Sequence, residues 1–464
     1  MNAEEERVTQ ETDLLIVGAG AKAAAIAAKV HVINRLGLGP ITATVIERNV
    51  PAASWLGLNG MTSGEEALAV PPVKDVGFPY RSSRQFGTAG DAIDAALLPF
   101  SWQRYSIGRG EYAPWVNAGA PPVRHRDYGE YLSWVLRRTT EGIGILSGEV
   151  ARLGLDGDRW LVEVEDRRSS GDPARHVARA LVLTGPGVHR ALPHAPGTED
   201  RTFHCDSPRS DFARVPEGRE LEIAIVGGGE SALSALVFLR AARPEARITV
   251  HTPSLPMSRG ESFLENRVFA DPDDVEWSAL DEWTRRDFVK HCDRGVFDAT
   301  VLARISGDER CRFVSGRAVH VAAGDDDRLL LEYEAPSGMV AVPYHYVVNC
   351  TGFDLLAQLR GLFPDDVREV VEERSGQLWD TPPGTEVPIG RALELRGMTP
   401  RLHIPGLGGL SQGPGFANLG SLGLLANRVL EPYFLEVSSR SGEGRDRLHD
   451  ESLLIDQGGA GNGS

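Results

Sequence analysis

The most constraining feature of the sequence is a strand–turn–helix unit near the N-terminus. Residues 14–17 form a short apolar run suited to a strand that is covered on both faces, and an alanine-rich segment of high helix propensity follows. Between them, Gly18 permits a sharp turn, Gly20 lets backbone N–H groups approach a ligand, and the small Ala23 lets the helix pack near the strand. This pattern predicts a parallel α/β sheet with a diphosphate at the helix N-terminus.

The next apolar run strengthens that interpretation. Residues 44–46 read as a second strand, which ends in Glu47, 27 positions after Gly20. A carboxylate at this place accepts hydrogen bonds from a ribose diol. The glycine turn alone is also compatible with a turn that binds nothing, but turn and carboxylate together predict a dinucleotide site.

A second copy of the unit follows, with Gly227 standing 209 residues after Gly18. Residues 221–226 form an apolar strand, Gly227 and Gly229 occupy the turn, and a helix follows. Two such units in one chain are more specific than either alone, because they imply one nucleotide cofactor that stays bound and a hydride donor that visits.

The strand that follows the second turn, residues 248–251, ends without an acidic residue. Thr252 and Ser254 come next, and Arg259 lies a little further on. A carboxylate would repel a 2′-phosphate, whereas hydroxyls and a guanidinium bind one. The second site is therefore expected to take NADPH, although a solvated surface position for Arg259 remains the alternative.

Composition narrows the class of protein. The 464 residues are 41% hydrophobic, and no apolar run approaches the length of a membrane span. A formal charge of −16 argues against a nucleic-acid partner, since phosphate backbones are bound by Lys and Arg. The four cysteines form no C-x-x-C pair, which argues against metal-cluster and thiol-redox functions. We expect a cytoplasmic protein with a small-molecule substrate, no metal, and no nucleic-acid or membrane partner; homo-oligomer formation stays open.

The expected fold class is α/β, with two Rossmann-like dinucleotide-binding domains and a smaller, mainly helical substrate region. Residues 52–80 are expected to form a long irregular excursion. The smaller elements expected are helices at 100–116, 128–138 and 418–430, and a hairpin of 150–155 with 160–164. The predicted divisions are a disordered start (1–12), the first domain (13–215), the second domain (216–345) with the helical region around 262–305, a return to the first domain (346–436) and a disordered tail (437–464).

Several further segments carry a resemblance to a known family. The chain resembles the flavin-dependent N-hydroxylating monooxygenases that act on lysine or ornithine side-chain amines, and most closely the mycobactin and nocobactin lysine N-monooxygenases. The resemblance covers roughly residues 12–435. Its most specific segments are the glycine motif at 18–23, then 74–82, 100–103, 259–261, 269–272, 293–297 and 412–419.

This resemblance implies FAD and NADPH as cofactors and a reaction centred on the flavin. NADPH reduces FAD, the reduced flavin and O₂ give a C4a-hydroperoxyflavin, and a neutral amine takes up one oxygen atom. The expected reaction converts L-lysine to N6-hydroxylysine for siderophore or related natural-product biosynthesis, with no side chain as catalyst. In the family, a basic residue grips the substrate carboxylate and an Asn contacts the substrate backbone groups, and Lys74 and Asn266 stand at those places.

The residues implied at the substrate are Lys74, Asn266, Asn418 and Leu419. Together with the positions argued above, those expected at the cofactors are Gly18, Gly20, Ala23, Glu47, Arg48, Trp55, Met61, Gln103, Gly227, Gly229, Glu230, Ser231, Ser254, Arg259, Asp293, Arg294 and Gly352.

Two departures from the family pattern bear on the substrate. The ornithine enzymes carry a Gln five residues before the Lys, where this sequence has Ala69, and residues 292–295 replace their Asn-Thr-Asn-Tyr segment. Both departures weaken the case for ornithine as the substrate. The exact amine stays open between lysine, ornithine, a diamine and another amino acid. A flavin monooxygenase that oxidises sulfur or a ketone would share both glycine turns but would not need Lys74. The missing C-x-x-C argues against a disulfide reductase, and a non-catalytic nucleotide sensor would be revealed by failure to bind FAD.

Overall fold

The computed structural model describes residues 11–59, 62–166, 172–205, 212–254, 256–260, 262–376, 378–382 and 384–440, and its architecture is α/β. The strands are β1 (Thr12–Val17), β2 (Ala43–Glu47), β3 (Ile143–Ser147), β4 (Glu149–Asp156), β5 (Arg159–Glu165), β6 (Ala174–Leu183), β7 (Val188–His189), β8 (Thr202–His204), β9 (Glu222–Val226), β10 (Arg247–Thr252), β11 (Cys311–Ser315), β12 (Arg317–Ala323), β13 (Leu329–Ala335), β14 (Gly338–Tyr344), β15 (Tyr346–Asn349), β16 (Phe353–Asp354) and β17 (Arg401–His403).

The α-helices are α1 (Ala21–Arg35), α2 (Ser83–Phe86), α3 (Gly90–Leu97), α4 (Trp102–Gly108), α5 (Tyr112–Asn117), α6 (His125–Arg138), α7 (Glu230–Ala242), α8 (Phe263–Ala270), α9 (Glu282–Cys292), α10 (Ala299–Ser306), α11 (Leu355–Leu362), α12 (Asp365–Ser375) and α13 (Leu422–Arg440). Short 3₁₀ turns lie at Gly87–Ala89, Leu98–Phe100, Glu199–Arg201, Pro272–Val275, Trp277–Ala279, Pro405–Leu407 and Pro414–Phe416. No helix of the described residues is both long and apolar enough to cross a membrane.

The first sheet has seven strands in the order β3-β2-β1-β6-β5-β4, with β17 also paired to β6. Strands β1, β2, β3, β6 and β17 are parallel, whereas β4, β5 and β6 form an antiparallel meander. Leu14, Leu15 and Ile16 of β1 are fully buried, as the continuous apolar run predicts for a strand covered on both faces. Helix α1 packs against α13, α6 and α3, so its small alanine side chains allow close helix packing on several sides.

The second sheet has five parallel strands in the order β11-β10-β9-β15-β8. A three-stranded antiparallel sheet, β12-β13-β14, packs against it through a small core that includes Val321, Leu331 and Tyr344. Strands β7 and β16 pair with each other, so the two connections between the large sheets run side by side.

Both glycine turns lie where the strand order changes direction. Strand β1 lies between β2 and β6, and β9 lies between β10 and β15. In open parallel sheets, ligands bind in the crevice at the carboxyl ends of such strands. The predicted fold class is confirmed, and the topology gives each turn the position of a nucleotide site.

Two predicted domain boundaries are wrong. Residues 346–349 form β15, which pairs with β9 and β8 in the second sheet and does not begin the return to the first. Strand β8 also belongs to the second sheet, although the sequence predicts that the first domain extends to residue 215. The chain returns to the first sheet at β17, which pairs with β6. Strand pairing decides these assignments, and the local sequence of a buried strand does not reveal its neighbours.

The predicted hairpin and the helix near 128–138 are present as β4–β5 and α6. The helix expected at 100–116 is two helices, α4 and α5, because the chain turns at Gly110 with φ of 72°. Helix α13 begins at Leu422 instead of 418 and continues to Arg440, so residues 437–440 are helical and not part of a disordered tail. Thr12 likewise belongs to β1, while residues 1–10 and 441–464 lie outside the described part of the chain.

Candidate active site

The first glycine turn has the geometry of a diphosphate cradle. Gly18 has φ of 92°, and a Cβ there would lie 2.7 Å from the Thr184 hydroxyl, so a side chain is excluded. Gly20 precedes α1, and a Cβ built on it meets no atom within 4 Å. No acidic residue lies in the first turn of α1, and no side chain caps it. The positive end of the helix is therefore open to an anion, and the residues present fit the diphosphate of FAD.

Glu47, the predicted ribose ligand, reaches this turn from the end of β2. Its Oε2 accepts a hydrogen bond from the Ala19 N–H at 2.8 Å, and Oε1 accepts from the Asn49 N–H at 2.9 Å. These two bonds hold the carboxylate beside the turn, at the position expected of a ribose ligand. The neighbouring Arg48 is exposed and pairs with Glu149 at 3.4 Å.

Two other predicted cofactor residues lie in the irregular excursion and in α4. Trp55 is half-buried and packs edge-on against His125 and Tyr128, with ring centroids 5.2 and 5.7 Å away. Gln103 is exposed and donates to the Tyr112 hydroxyl at 3.2 Å. Met61 lies outside the described residues.

The two predicted substrate residues Lys74 and Asn266 meet, although they are 192 positions apart. The Lys74 ammonium donates to Asn266 Oδ1 at 2.9 Å and lies 5.8 Å from the centre of the Phe78 ring. An ammonium beside an amide provides donors and an acceptor, which suits the carboxylate and amino groups of an amino acid.

Asp75 fixes the loop that carries Lys74. Its buried carboxylate accepts hydrogen bonds from Gly77 N–H (3.1 Å), the Tyr80 hydroxyl (2.9 Å) and Trp102 N–H (2.9 Å). Burial, opposed by these hydrogen bonds, raises the pKa of Asp75 to about 6. The carboxylate therefore has a structural role in positioning its neighbour.

An ion-pair network that the sequence analysis missed holds helix α8, which carries Asn266. Arg81 and Arg84 each bond Asp271, at 2.9 and 3.0 Å. The buried Arg428 of α13 bonds Asp273 at 2.6 Å and lies 4.4 Å from the centre of the Phe416 ring. An Arg inside the apolar run of α13 was the available signal, because a buried cation needs an anionic partner.

The backbone of the second glycine turn excludes a side chain in the same way as that of the first. Gly227 has φ of 147°, and its Cβ would lie 2.3 Å from the Cys350 carbonyl oxygen. Gly229 precedes α7 without a side-chain cap. Residue Gly295 lies over this turn, its N atom 3.9 Å from the Cβ position of Gly229.

Arg259, which was expected to bind the 2′-phosphate of NADPH, has a protein partner near the second turn. Arg259 pairs with the Glu230 carboxylate in the first turn of α7, so its guanidinium is engaged at the helix N-terminus. Ser231 is half-buried in the same turn, and Ser254 is exposed just beyond β10. Gly352, with φ of 95°, lies in the second connection between the sheets.

The two turns are linked by a small polar cluster. Asn418 Nδ2 donates to Asp293 Oδ1 at 3.0 Å, and Asp293 Oδ2 pairs with Arg294 Nε at 3.1 Å. Lys22, in the first turn of α1, donates to the Ala417 carbonyl at 3.0 Å. The structure thus brings Asp293, Arg294 and Asn418 together, while Leu419 packs against the first core.

Lys22 is a residue whose role the sequence analysis missed. Burial, and then the Arg294 guanidinium, lower the pKa of Lys22 to about 8, whereas Asp293 acts to raise it. A cation in the first turn of a helix opposes the helix dipole, which was a signal in the sequence that an anion binds nearby.

Two large sheets, each with a glycine turn between parallel strands at its switch point, are typical of an enzyme that brings two dinucleotides together. The family model for L-lysine 6-monooxygenase/L-ornithine 5-monooxygenase matches residues 95–355. The chain belongs to this family and is an enzyme of the monooxygenase class. The predicted resemblance is confirmed.

Relatives and solved structures agree with this assignment. The chain is 35% identical to the L-lysine N6-monooxygenase MbtG of Mycobacterium tuberculosis, over 90% of this chain and 94% of that protein. It is similar to the structure of the lysine monooxygenase NbtG from Nocardia farcinica, with a TM-score of 0.77, 32% identity, and coverage of 90% and 99%. The ornithine N-hydroxylase of Kutzneria sp. 744 shares the fold, with a TM-score of 0.70, 17% identity, and coverage of 93% and 100%.

Proposed function

We propose that this chain uses FAD, NADPH and O₂ to hydroxylate the side-chain amine of L-lysine, giving N6-hydroxylysine in the cytoplasm for siderophore or related biosynthesis. The contact between Lys74 and Asn266 carries the proposal, because it offers an ammonium and an amide to the two charged groups of a free amino acid. The lysine assignment is supported by the relatives named L-lysine N6-monooxygenase, which are 34–35% identical over 90% of the chain.

Named residues fit each nucleotide. Gly18, Gly20 and Glu47 hold FAD at the first turn, with Ala23 allowing the helix to approach. At the second turn, Gly227, Gly229 and Ser231 receive the NADPH diphosphate, and Ser254 lies near the ribose phosphate. Bound FAD, once reduced by NADPH, supplies the activated oxygen. The protein's own residues hold the amine, keep it neutral and exclude water.

The lysine amine must be neutral to act as a nucleophile. Deprotonation at pH 7 of an amine with a pKa near 10.4 costs about 4 to 5 kcal/mol. Burial lowers an amine pKa, whereas a carboxylate would raise it. Two carboxylates near the second turn have cationic partners, Asp293 with Arg294 and Glu230 with Arg259, and Glu47 at the first turn accepts two backbone N–H bonds. This supports desolvation as the means by which the site favours the neutral amine, with no carboxylate acting as a base.

The length of the substrate side chain distinguishes lysine from ornithine. If Lys74 fixes the substrate carboxylate, ornithine places its side-chain nitrogen about 1.3 Å short of the reacting oxygen. A misplacement of about 1 Å costs about a hundredfold in rate. Cadaverine has the reach but lacks the carboxylate, so it is expected to be a poor substrate for a different reason.

The test is a panel of L-lysine, L-ornithine and cadaverine, scored for hydroxylamine by mass spectrometry. NADPH consumption is recorded in parallel, because uncoupled turnover consumes NADPH without forming product. We expect N6-hydroxylysine as the main product. More product from ornithine or cadaverine would refute the lysine assignment, and no product from any amine would refute N-hydroxylation.

A further inference from the structure

The pair formed by Glu230 and Arg259 lies at the mouth of the second glycine turn. Glu230 is the first residue of α7 and directly follows Gly229, and its side chain is 43% exposed. The Arg259 side chain is only 16% exposed. The backbone of Arg259 is fixed by its N–H bond to the Phe297 carbonyl at 2.8 Å, within the segment that covers the turn.

This pair presents two opposed charges to an incoming nucleotide. The diphosphate of a dinucleotide binds at a helix N-terminus that follows a glycine turn, which is the position of Glu230. A carboxylate at that place repels the phosphates and also occupies a guanidinium whose planar fork suits phosphate. One guanidinium cannot bond the carboxylate and the diphosphate equally well at the same time.

We propose that Glu230 tunes the affinity of the second turn for nucleotides by competing with the NADPH diphosphate for Arg259. In the free enzyme the carboxylate holds the guanidinium, and on binding the diphosphate takes its place. The carboxylate thereby weakens nucleotide binding and speeds release of the oxidised nucleotide. This inference rests on the proposed function, since it takes NADPH as the ligand of the second turn, and it assigns Arg259 to the diphosphate instead of the 2′-phosphate.

The test measures dissociation constants of NADP⁺ and NAD⁺ on the oxidised, FAD-loaded protein by calorimetry. Glu230→Gln keeps the shape and removes the charge, and we expect both nucleotides to bind about tenfold more tightly. Arg259→Gln is expected to weaken both by a similar factor. In the double variant the gain from Glu230→Gln should fall to less than threefold, because the competed guanidinium is gone.

A matched control lies at the amino ends of β9 and β10, which are opposite the ends that carry the glycine turn. Glu220 pairs with Arg247 at 2.9 Å, and both are exposed. Glu220→Gln removes the same charge from a comparable pair away from the turn, and nucleotide binding should stay within twofold of the unmodified protein.

Four results would overturn the proposal. These are unchanged or weaker binding in Glu230→Gln, an equal gain with and without Arg259, a gain confined to NADP⁺, and an equal gain in Glu220→Gln. Failure of the unmodified protein to bind NADP⁺ at all would instead refute the proposed function, so the two failures are distinguishable.

Discussion

Replacing Arg428 with Met tests whether a buried ion pair holds the segment that presents Asn266. The guanidinium is 2% exposed and bonds Asp273 at 2.6 Å and Gln412 at 3.1 Å. Burial lowers the pKa of Arg428 and Asp273 opposes the shift, so the ion pair offsets part of the cost of burying the guanidinium. Removing one member of a fully buried pair costs about 3 to 5 kcal/mol; Asp273 is partly exposed and keeps a longer contact with Arg391, so about 2 to 3 kcal/mol is expected here. Met removes the charge and keeps an unbranched side chain at the position beside the Phe416 ring.

Arg391 provides the matched control for this variant. It approaches the same carboxylate of Asp273 at 3.6 Å, but its side chain is 56% exposed. An exposed pair contributes about 1 kcal/mol or less. The structure therefore predicts a large loss of unfolding free energy for Arg428→Met and a small one for Arg391→Met, although both remove one positive charge near one carboxylate.

Urea unfolding of the FAD-loaded protein, followed by tryptophan fluorescence, measures the difference. Trp277 reports on this segment because its indole N–H donates to the Leu410 carbonyl at 2.8 Å. The loosened segment should also raise KM for lysine about tenfold, since Asn266 is displaced, while flavin reduction by NADPH stays unchanged. Equal losses of stability in Arg428→Met and Arg391→Met would refute the argument that the buried pair anchors the segment.

Three further predictions test the substrate grip, the second turn and a buried lysine. Lys74→Ala should raise KM and so lower kcat/KM for lysine about a hundredfold or more, while anaerobic flavin reduction stays intact. Lys290→Ala, which removes an exposed lysine, is the control. Equal effects of the two substitutions would show that Lys74 does not bind the substrate carboxylate. Gly227→Ala should abolish NADP⁺ binding while FAD stays bound, because its Cβ would lie 2.3 Å from the Cys350 oxygen; normal NADP⁺ titration would contradict this. Burial lowers the pKa of Lys29 to about 7, so between pH 7 and 9 the unfolded chain binds more protons than the folded one and stability rises with pH. Between pH 7 and 9, the unfolding free energy of the unmodified protein, measured with urea, should rise about 2 to 3 kcal/mol more than that of Lys29→Met. Parallel pH profiles for the two proteins would refute this prediction.

The sequence by itself determined the local units and the family. Two apolar strands, each followed by glycines and a helix, specify the dinucleotide turns, because only glycine tolerates the positive φ of Gly18 and Gly227. The β4–β5 hairpin and the position of Glu47 after β2 followed from short-range patterns in the same way. These features depend on neighbours in the chain, so their residues could be identified without a structure.

The tertiary structure alone decided which distant residues meet. Strand β15 joined the second sheet, and Lys74 reached Asn266 across 192 positions, because strand order and helix packing set such contacts. Arg259 is another example, because the sequence predicted that its guanidinium binds the 2′-phosphate of NADPH, whereas the fold pairs it with Glu230. Side-chain partners across separate elements depend on how sheets and helices pack, and no local propensity records that geometry.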